Sequence, residues 1–293
     1  MNDVYGVDPT SLKSVRDLAD LIRIINPSEG RFISQFPVDW AERLKESMGN
    51  LSDLDKSRFV EVWVSKARNG LLPTDVRFEP KASWVENAER VRLSARALIG
   101  SEHDRPRVIP VETALVDPNV FRDARSEYIK RSVEDYVRVS RPLFQISNRV
   151  VLIDPYFRLS YRDERSDEVR ISGRHQRALK GLLRACVAAR RVEVFCLVVE
   201  QTFALKPYAG TDPESWFERE LAQIQADCDA VSLQIEYQYL NRDVFTDQHP
   251  RYLLGNHAGL HFDWGFDTGD NSQRNLVSWL SESALAPLLQ RYF

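Results

Sequence analysis

Between residues 249 and 267 the chain reads HPRYLLGNHAGLHFDWGFD. His249 and Arg251 stand two residues apart, so in an extended segment both side chains leave the same face. An imidazole next to a guanidinium suits phosphorus chemistry: the ring attacks or transfers a proton while the cation holds phosphate oxygens. Pro250 restricts His249 to extended backbone. In GLHFDWGFD, Leu260, Phe262, Trp264 and Phe266 alternate with His261, Asp263, Gly265 and Asp267. That period of two buries one face and leaves an imidazole and carboxylates on the other. If GNHAG turns the chain, the polar residues of both strands share one side of a sheet. His249 and Arg251 would then share that side with His261 and Asp263, the latter two as candidate ligand contacts. The alternative is an edge hairpin whose polar face is only solvated.

Other residues bear on the same chemistry. RVVLIDPYF is a buried run closed by Asp154 and Pro155; Asp154 and Tyr156 either fall where α/β sheets place ligands, at a strand's C-terminal end, or simply terminate the strand. In HQRALKGLLRACVAARR, Arg177, Lys180 and Arg184 share a helix face and can meet several phosphates, although such a face is more often solvated, and DERSDE just before it opposes anion binding. His175-Gln176-Arg177 is a second His-x-Arg pair, a weaker partner because Leu182 follows where an acidic residue is wanted and the segment reads as helix. His257, His261 and Asp263 lack a spacing that brings them together across a turn, so no metal and no cofactor are expected. Cys186, Cys196 and Cys228 have no metal-ligand spacing either and read as buried thiols.

The elements that must position these residues fall into two parts. The 293 residues are 43% hydrophobic and 28% charged, with a net charge of −3, which excludes a disordered chain and any global attraction to nucleic acid. No apolar run is long enough to span a bilayer, and the N-terminal sequence has no signal-peptide pattern, so a cytoplasmic protein is expected. Residues 1–122 read as a mainly helical domain: SLKSVRDLADLIRII carries an amphipathic stripe, and WAERLKESM, LDKSRFVEVWVSKARNGLL and WVENAERVRLSARALIG follow as further helices. Segment 101–123 reads as a surface connection. Residues 123–293 read as an α/β sheet domain: a helix over ARSEYIKRSVEDYVRVSRPLF, buried runs RVVLIDPYF and VEVFCLVV separated by helices, VSLQIEYQYL, the hairpin, and a closing helix over NLVSWLSESALAPLLQRYF.

On these residues the C-terminal part resembles the phospholipase D superfamily. His249-x-Arg251-x4-Asn256, followed by Gly265, is similar to the superfamily's His-x-Lys-x4-Asp…Gly motif, with Arg for Lys and Asn for Asp, and the resemblance makes His249, Arg251 and Asn256 the candidate catalytic set. The resemblance covers roughly residues 125–293 and is closest in kind to the single-module, catalytically reduced domain at the C-terminus of MIT-domain proteins. It implies a phospholipase-D-like fold that binds a phosphate-bearing ligand, a nucleic acid or a partner protein. It also implies an accessory or effector role in a prokaryotic anti-phage or mobile-element system. Active members need two motifs face to face; with one motif, a histidine-dependent phosphodiesterase or nuclease requires a homodimer. Arg in place of Lys and Asn in place of Asp point away from retained hydrolysis. A purely structural interaction protein is the third alternative.

Overall fold

The structure is a computed structural model. It describes the chain except residues 1, 50, 66, 103–104, 122–124, 164, 209–211, 242–250 and 270–271, together with the side chains of 65, 67, 68 and 118. The chain is an α/β protein that divides into two compact units, Met1–Arg125 and Ser126–Phe293.

The first unit, expected to be mainly helical, has more helical than strand residues but is organised around a sheet. Its centre is a five-stranded sheet in the order β3-β2-β1-β4-β5, from β1 (Asp3–Val7), β2 (Arg31–Gln35), β3 (Leu71–Pro73), β4 (Ala97–Gly100) and β5 (Val108–Pro110). Every neighbouring pair is parallel, and α1 (Val15–Ile24), α2 (Trp40–Ser47), α3 (Asp53–Ser65), α4 (Trp84–Arg90) and α5 (Val111–Val116) complete the unit. α1 starts where its sequence says it should: Ser14 and Asp17 form a reciprocal capping box, satisfying amides that the first turn leaves unpaired. The sheet is covered on both faces. Successive residues Leu98 and Ile99 of β4 point to opposite sides and enter different apolar clusters, one with Phe36 and Trp84, the other with Tyr5, Leu18 and Trp40. These strands have three to five residues, too few for a period of two to stand out against flanking helices. WVENAERVRLSARALIG accordingly yields a short helix and then β4, and the expected connection 101–123 contains β5 and α5.

The second unit holds β6 (Ser126–Lys130), α6 (Val133–Ile146), β7 (Arg149–Ile153), β8 (Ser160–Arg162), β9 (Val169–Ile171), α7 (Gly173–Ala189), β10 (Val194–Glu200), α8 (Gln201–Leu205), α9 (Pro213–Asp227), β11 (Gln234–Leu240), β12 (Tyr252–Gly255), β13 (Gly259–Phe262), β14 (Arg274–Trp279) and α10 (Glu282–Tyr292). Two expected helices are therefore strand followed by helix: β6 opens one and β14 the other. Among the described residues β8 pairs with β9 alone, and the remaining strands form one seven-stranded sheet in the order β11-β10-β7-β12-β13-β14-β6. β7, β10 and β11 are parallel, and from β12 outward each neighbour is antiparallel. Val151, Ile153, Val198 and Leu254 form the core on the face that Leu285 of α10 covers. α6 and α7 approach closely enough that a Cβ on Gly181 would collide with Val133. Cys186, Cys196 and Cys228 are buried and unpaired.

One register decides where the site forms. β12 runs antiparallel to β7 with Tyr252 opposite Ile153, so the residue before β12, Arg251, meets the residue after β7, Asp154.

Candidate phosphate site

Asp154 is 2% exposed. Its Oδ1 accepts a hydrogen bond from the Tyr156 amide at 3.0 Å and its Oδ2 from the Phe266 amide at 3.1 Å. Burial pushes its pKa up to about 6, against the lowering effect of those amides and Arg251. Arg251 places Nε 3.9 Å from Asp154 Oδ1 and donates from Nη1 to the Asp263 carbonyl at 2.6 Å. Its guanidinium also lies over the Tyr156 ring, 5.3 Å from the centroid.

Three further elements close on this pair. The turn between β6 and α6 supplies Arg131, which forms an ion pair with Asp267 and donates to Gln273 Oε1 at 2.9 Å. The segment after β7 supplies Arg158, stacked over Phe203 (5.2 Å) and Tyr161 (5.5 Å). The first turn of α7 supplies His175, packed edge-on against Phe157 with ring centroids 5.0 Å apart. Together Arg131, Arg158, Arg251, Asp154, Asp267 and His175 line a cavity of about 170 Å³, with Tyr156, Phe203 and Trp264 as its aromatic wall. Three guanidiniums thus face two carboxylates, one of them with a pKa near neutrality.

His175 is held neutral. Burial lowers its pKa to about 4, with Arg158, Arg131 and Arg174 adding to the effect and Asp267 opposing it. Nδ1 lies 2.9 Å from Ser172 Oγ, and Nε2 has no hydrogen-bond partner among the described residues. The loop carrying Asp267 is fixed from below: Tyr136 donates to the carbonyls of Gly265 (3.2 Å) and Asp267 (2.9 Å), and burial pushes its own pKa up to about 12. The fully buried Asn275 donates to the Gly265 carbonyl at 3.1 Å and accepts from the Trp264 amide at 3.0 Å.

The residues singled out in the sequence separate on this frame. Asp154, Tyr156 and Arg251 come together. His249 lies outside the described residues. Asn256 sits at the other end of β12, where Oδ1 accepts from the amides of Asn148 (2.9 Å) and Arg149 (3.2 Å); the four residues of β12 separate it from Arg251, about 16 Å along the strand. His261 does not share Arg251's face, because its register partner is Tyr252, and successive residues alternate sides. It stays near Asp263, Nδ1 to Oδ1 at 3.6 Å, with its pKa lowered by burial. The alternation itself breaks after Phe262: Phe266 is buried but Trp264 is 64% exposed. On α7, Lys180 pairs with Asp227 at 2.7 Å and Arg184 donates to the Asp227 carbonyl at 3.1 Å, so both are engaged by the end of α9. Arg177 instead turns toward Thr268 Oγ1 at 3.3 Å.

Arg131, Arg158, His175 and Asp267 escape a sequence reading as a set because they come from four separate stretches of chain. His175 carries a signal, the second His-x-Arg pair; its place on a helix does not disqualify it, since the helix begins at the cavity. Asn275 carries another, a polar residue on the buried parity of RNLVSW. Among the described residues no group of three or more His, Cys, Asp or Glu is placed to hold a metal ion, and no helix is long and apolar enough to cross a membrane.

No known family model matches the chain, and no curated protein matches it. Among solved structures, TrmBL2, an archaeal chromatin protein whose structure is described as showing a novel mode of DNA binding, aligns with 9% identity at a TM-score of 0.28. The alignment covers 61% of this chain and 55% of TrmBL2, so the chain spans about half of that protein. A likeness this slight carries no argument about fold or ligand.

Proposed function

We propose that the C-terminal unit binds a phosphate-bearing ligand in the cavity between Arg131, Arg158 and Arg251. The observation that carries this reading is the convergence of three guanidiniums from three elements on one small recess. Arg131 is consumed in part by Asp267, and Arg251 by Asp154 and the Asp263 carbonyl. Arg158 pairs with no carboxylate among the described residues, and its buried Nε has no hydrogen-bond partner among them. Such a donor left unsatisfied costs free energy that an anion's oxygens offset. The test is calorimetric titration of the full chain with inorganic phosphate. Arg158→Ala and Arg251→Ala are each expected to weaken binding about tenfold, the loss of one charge-assisted hydrogen bond. Wild-type affinity in both variants would sink the reading.

A second reading, hydrolysis of a phosphodiester, is favoured by one observation: a neutral imidazole with an open Nε2 lines the same cavity. It predicts turnover of bis-p-nitrophenyl phosphate that disappears in His175→Ala or His249→Ala, the latter within a homodimer as the motif resemblance implies. An accessory role in a prokaryotic anti-phage or mobile-element system, with partner proteins of that system, is supported by the motif resemblance alone.

A further inference from the structure

A second cavity, of about 450 Å³, adjoins the first and shares Arg158, His175 and Asp267 with it. Its remaining wall is the start of α7, with Arg174 and Arg177, faced by Tyr161 and Ile171 of the β8–β9 ribbon. The two recesses are therefore one surface with a common partition, and the character of the wall changes along it. In the first, guanidiniums are sunk: the side chains of Arg131 and Arg251 are 10% and 19% exposed. In the second, Arg174 and Arg177 lie open to solvent, and neither pairs with a carboxylate among the described residues. The Asp267 carboxylate on the shared partition is neutralised by Arg131. Rings and an apolar side chain alternate with these cations: Tyr156 and Trp264 border the first recess, 37% and 64% exposed, and Tyr161 and the 65% exposed Ile171 border the second.

We propose that the two cavities are consecutive subsites for a single-stranded nucleic acid, the first taking one phosphate and the second the next phosphate and its base. This rests on the phosphate-binding reading of the first cavity and adds the ligand class. Alternation of cations with exposed rings is what a single strand needs, since its backbone is anionic and its unstacked bases present π-faces. Recessed guanidiniums argue against a duplex, whose phosphates lie on a stiff convex surface and cannot turn individually into a small cavity. The second cavity also sits at the N-terminal end of a 17-residue helix whose Ser172 makes no capping bond because it faces His175 instead, an arrangement that favours an anion there.

The test titrates the full chain at low salt with thymidine 5′-monophosphate and with the 5′-phosphorylated dinucleotide pTpT. The dinucleotide is expected to bind about tenfold more tightly, a second phosphate contact plus a stacked base. In Arg174→Ala/Arg177→Ala that gain should fall below about threefold while the monophosphate binds as in wild type; Arg174→Lys/Arg177→Lys should restore most of it. Equal affinities for the two ligands in wild type would overturn the second subsite and leave the first intact. A duplex that binds as tightly as the same length of single strand would overturn the ligand class. So would binding to phosphatidic acid vesicles that depends on Arg174 and Arg177 and exceeds binding to the oligonucleotide. If neither thymidine monophosphate nor inorganic phosphate binds, the underlying phosphate site falls, and the extension with it.

Discussion

Gly265 stands against Arg251 so closely that a Cβ on the glycine would lie 2.9 Å from the arginine Cδ and 2.6 Å from Asp154 Oδ2, and its φ of +80° is one that residues with side chains rarely adopt. Gly265 therefore has a physical reason to be there. It lets the loop after β13 pass over the Arg251–Asp154 pair and deliver the Phe266 amide to the carboxylate. Gly265→Ala is expected to lose about 2 kcal/mol or more of stability in urea unfolding, from left-handed strain and the collision together. It should also weaken phosphate binding. A variant as stable as wild type would show that the loop can move aside.

Two titrating groups in the cavity act in opposite senses. The folded pKa of Asp154, about 6, exceeds the unfolded value of ~3.9. Its contribution to stability is thus fully present below about pH 4 and lost as pH rises through about 6. His175, lowered to about 4 from ~6.5, contributes stability that is present above about pH 6.5 and lost as pH falls through about 4. Between these limits the slopes oppose each other. His175→Gln removes one of them, so its unfolding free energy should fall behind wild type by roughly 2–3 kcal/mol as pH rises from 4 to 6.5, at ~1.36 kcal/mol per pKa unit. Parallel profiles for the two proteins would show that His175 is not held neutral.

Anion affinity should follow Asp154 alone above pH 5, because His175 stays uncharged there. Protonating the carboxyl removes a negative charge beside Arg251, so binding should tighten as pH falls through about 6. Sulfate is the better probe, its charge being fixed over this range. We expect about threefold to tenfold tighter binding at pH 5 than at pH 7.5, the effect of one nearby charge in a partly screened site. A flat profile would place the anion away from Asp154.

Lys180 tests which face of α7 matters. Its partner Asp227 is 38% exposed at the side chain, and solvent screens an ion pair of that kind. Lys180→Ala should leave both the unfolding midpoint in urea and phosphate affinity as in wild type. A tenfold loss of affinity would restore the basic face, rather than the helix start, as the ligand surface.

How far the site is legible follows from how local its causes are. Asp154 and Tyr156 stand out because a buried run ending in Asp-Pro marks a strand's C-terminal end, and Arg251 because in an extended segment its spacing from His249 puts both side chains on one face. The faces of the hairpin do not, since Leu254 pairs with Gly259 across a four-residue turn, and the five-residue turn that GNHAG suggests would slip the register by one and swap the faces. Arg131 and Arg158 look like any other arginine until β6 and β8 are known to be strands, and β6 hides inside a segment that reads as helix. The N-terminal sheet is illegible for the same reason, its strands being shorter than the windows in which periodicity can be seen.

Asn256 has a structural role where its sequence position suggested a chemical one. In sequence, an amide where the superfamily motif has a carboxylate looks like the loss of a group that polarises histidine. In the fold, the side chain stands at the far end of β12 and its oxygen receives the amides of Asn148 and Arg149, closing the entrance to β7. Either an amide or a carboxylate oxygen can do that. Asn256→Asp should therefore preserve both stability and phosphate affinity, whereas Asn256→Ala leaves one exposed and one part-buried amide without their acceptor and should cost about 0.5–1.5 kcal/mol in unfolding free energy with affinity retained. If Asn256→Ala abolishes phosphate binding in protein that remains folded, the residue acts on the site across the length of the strand, and the division between a binding end and a structural end of β12 is wrong.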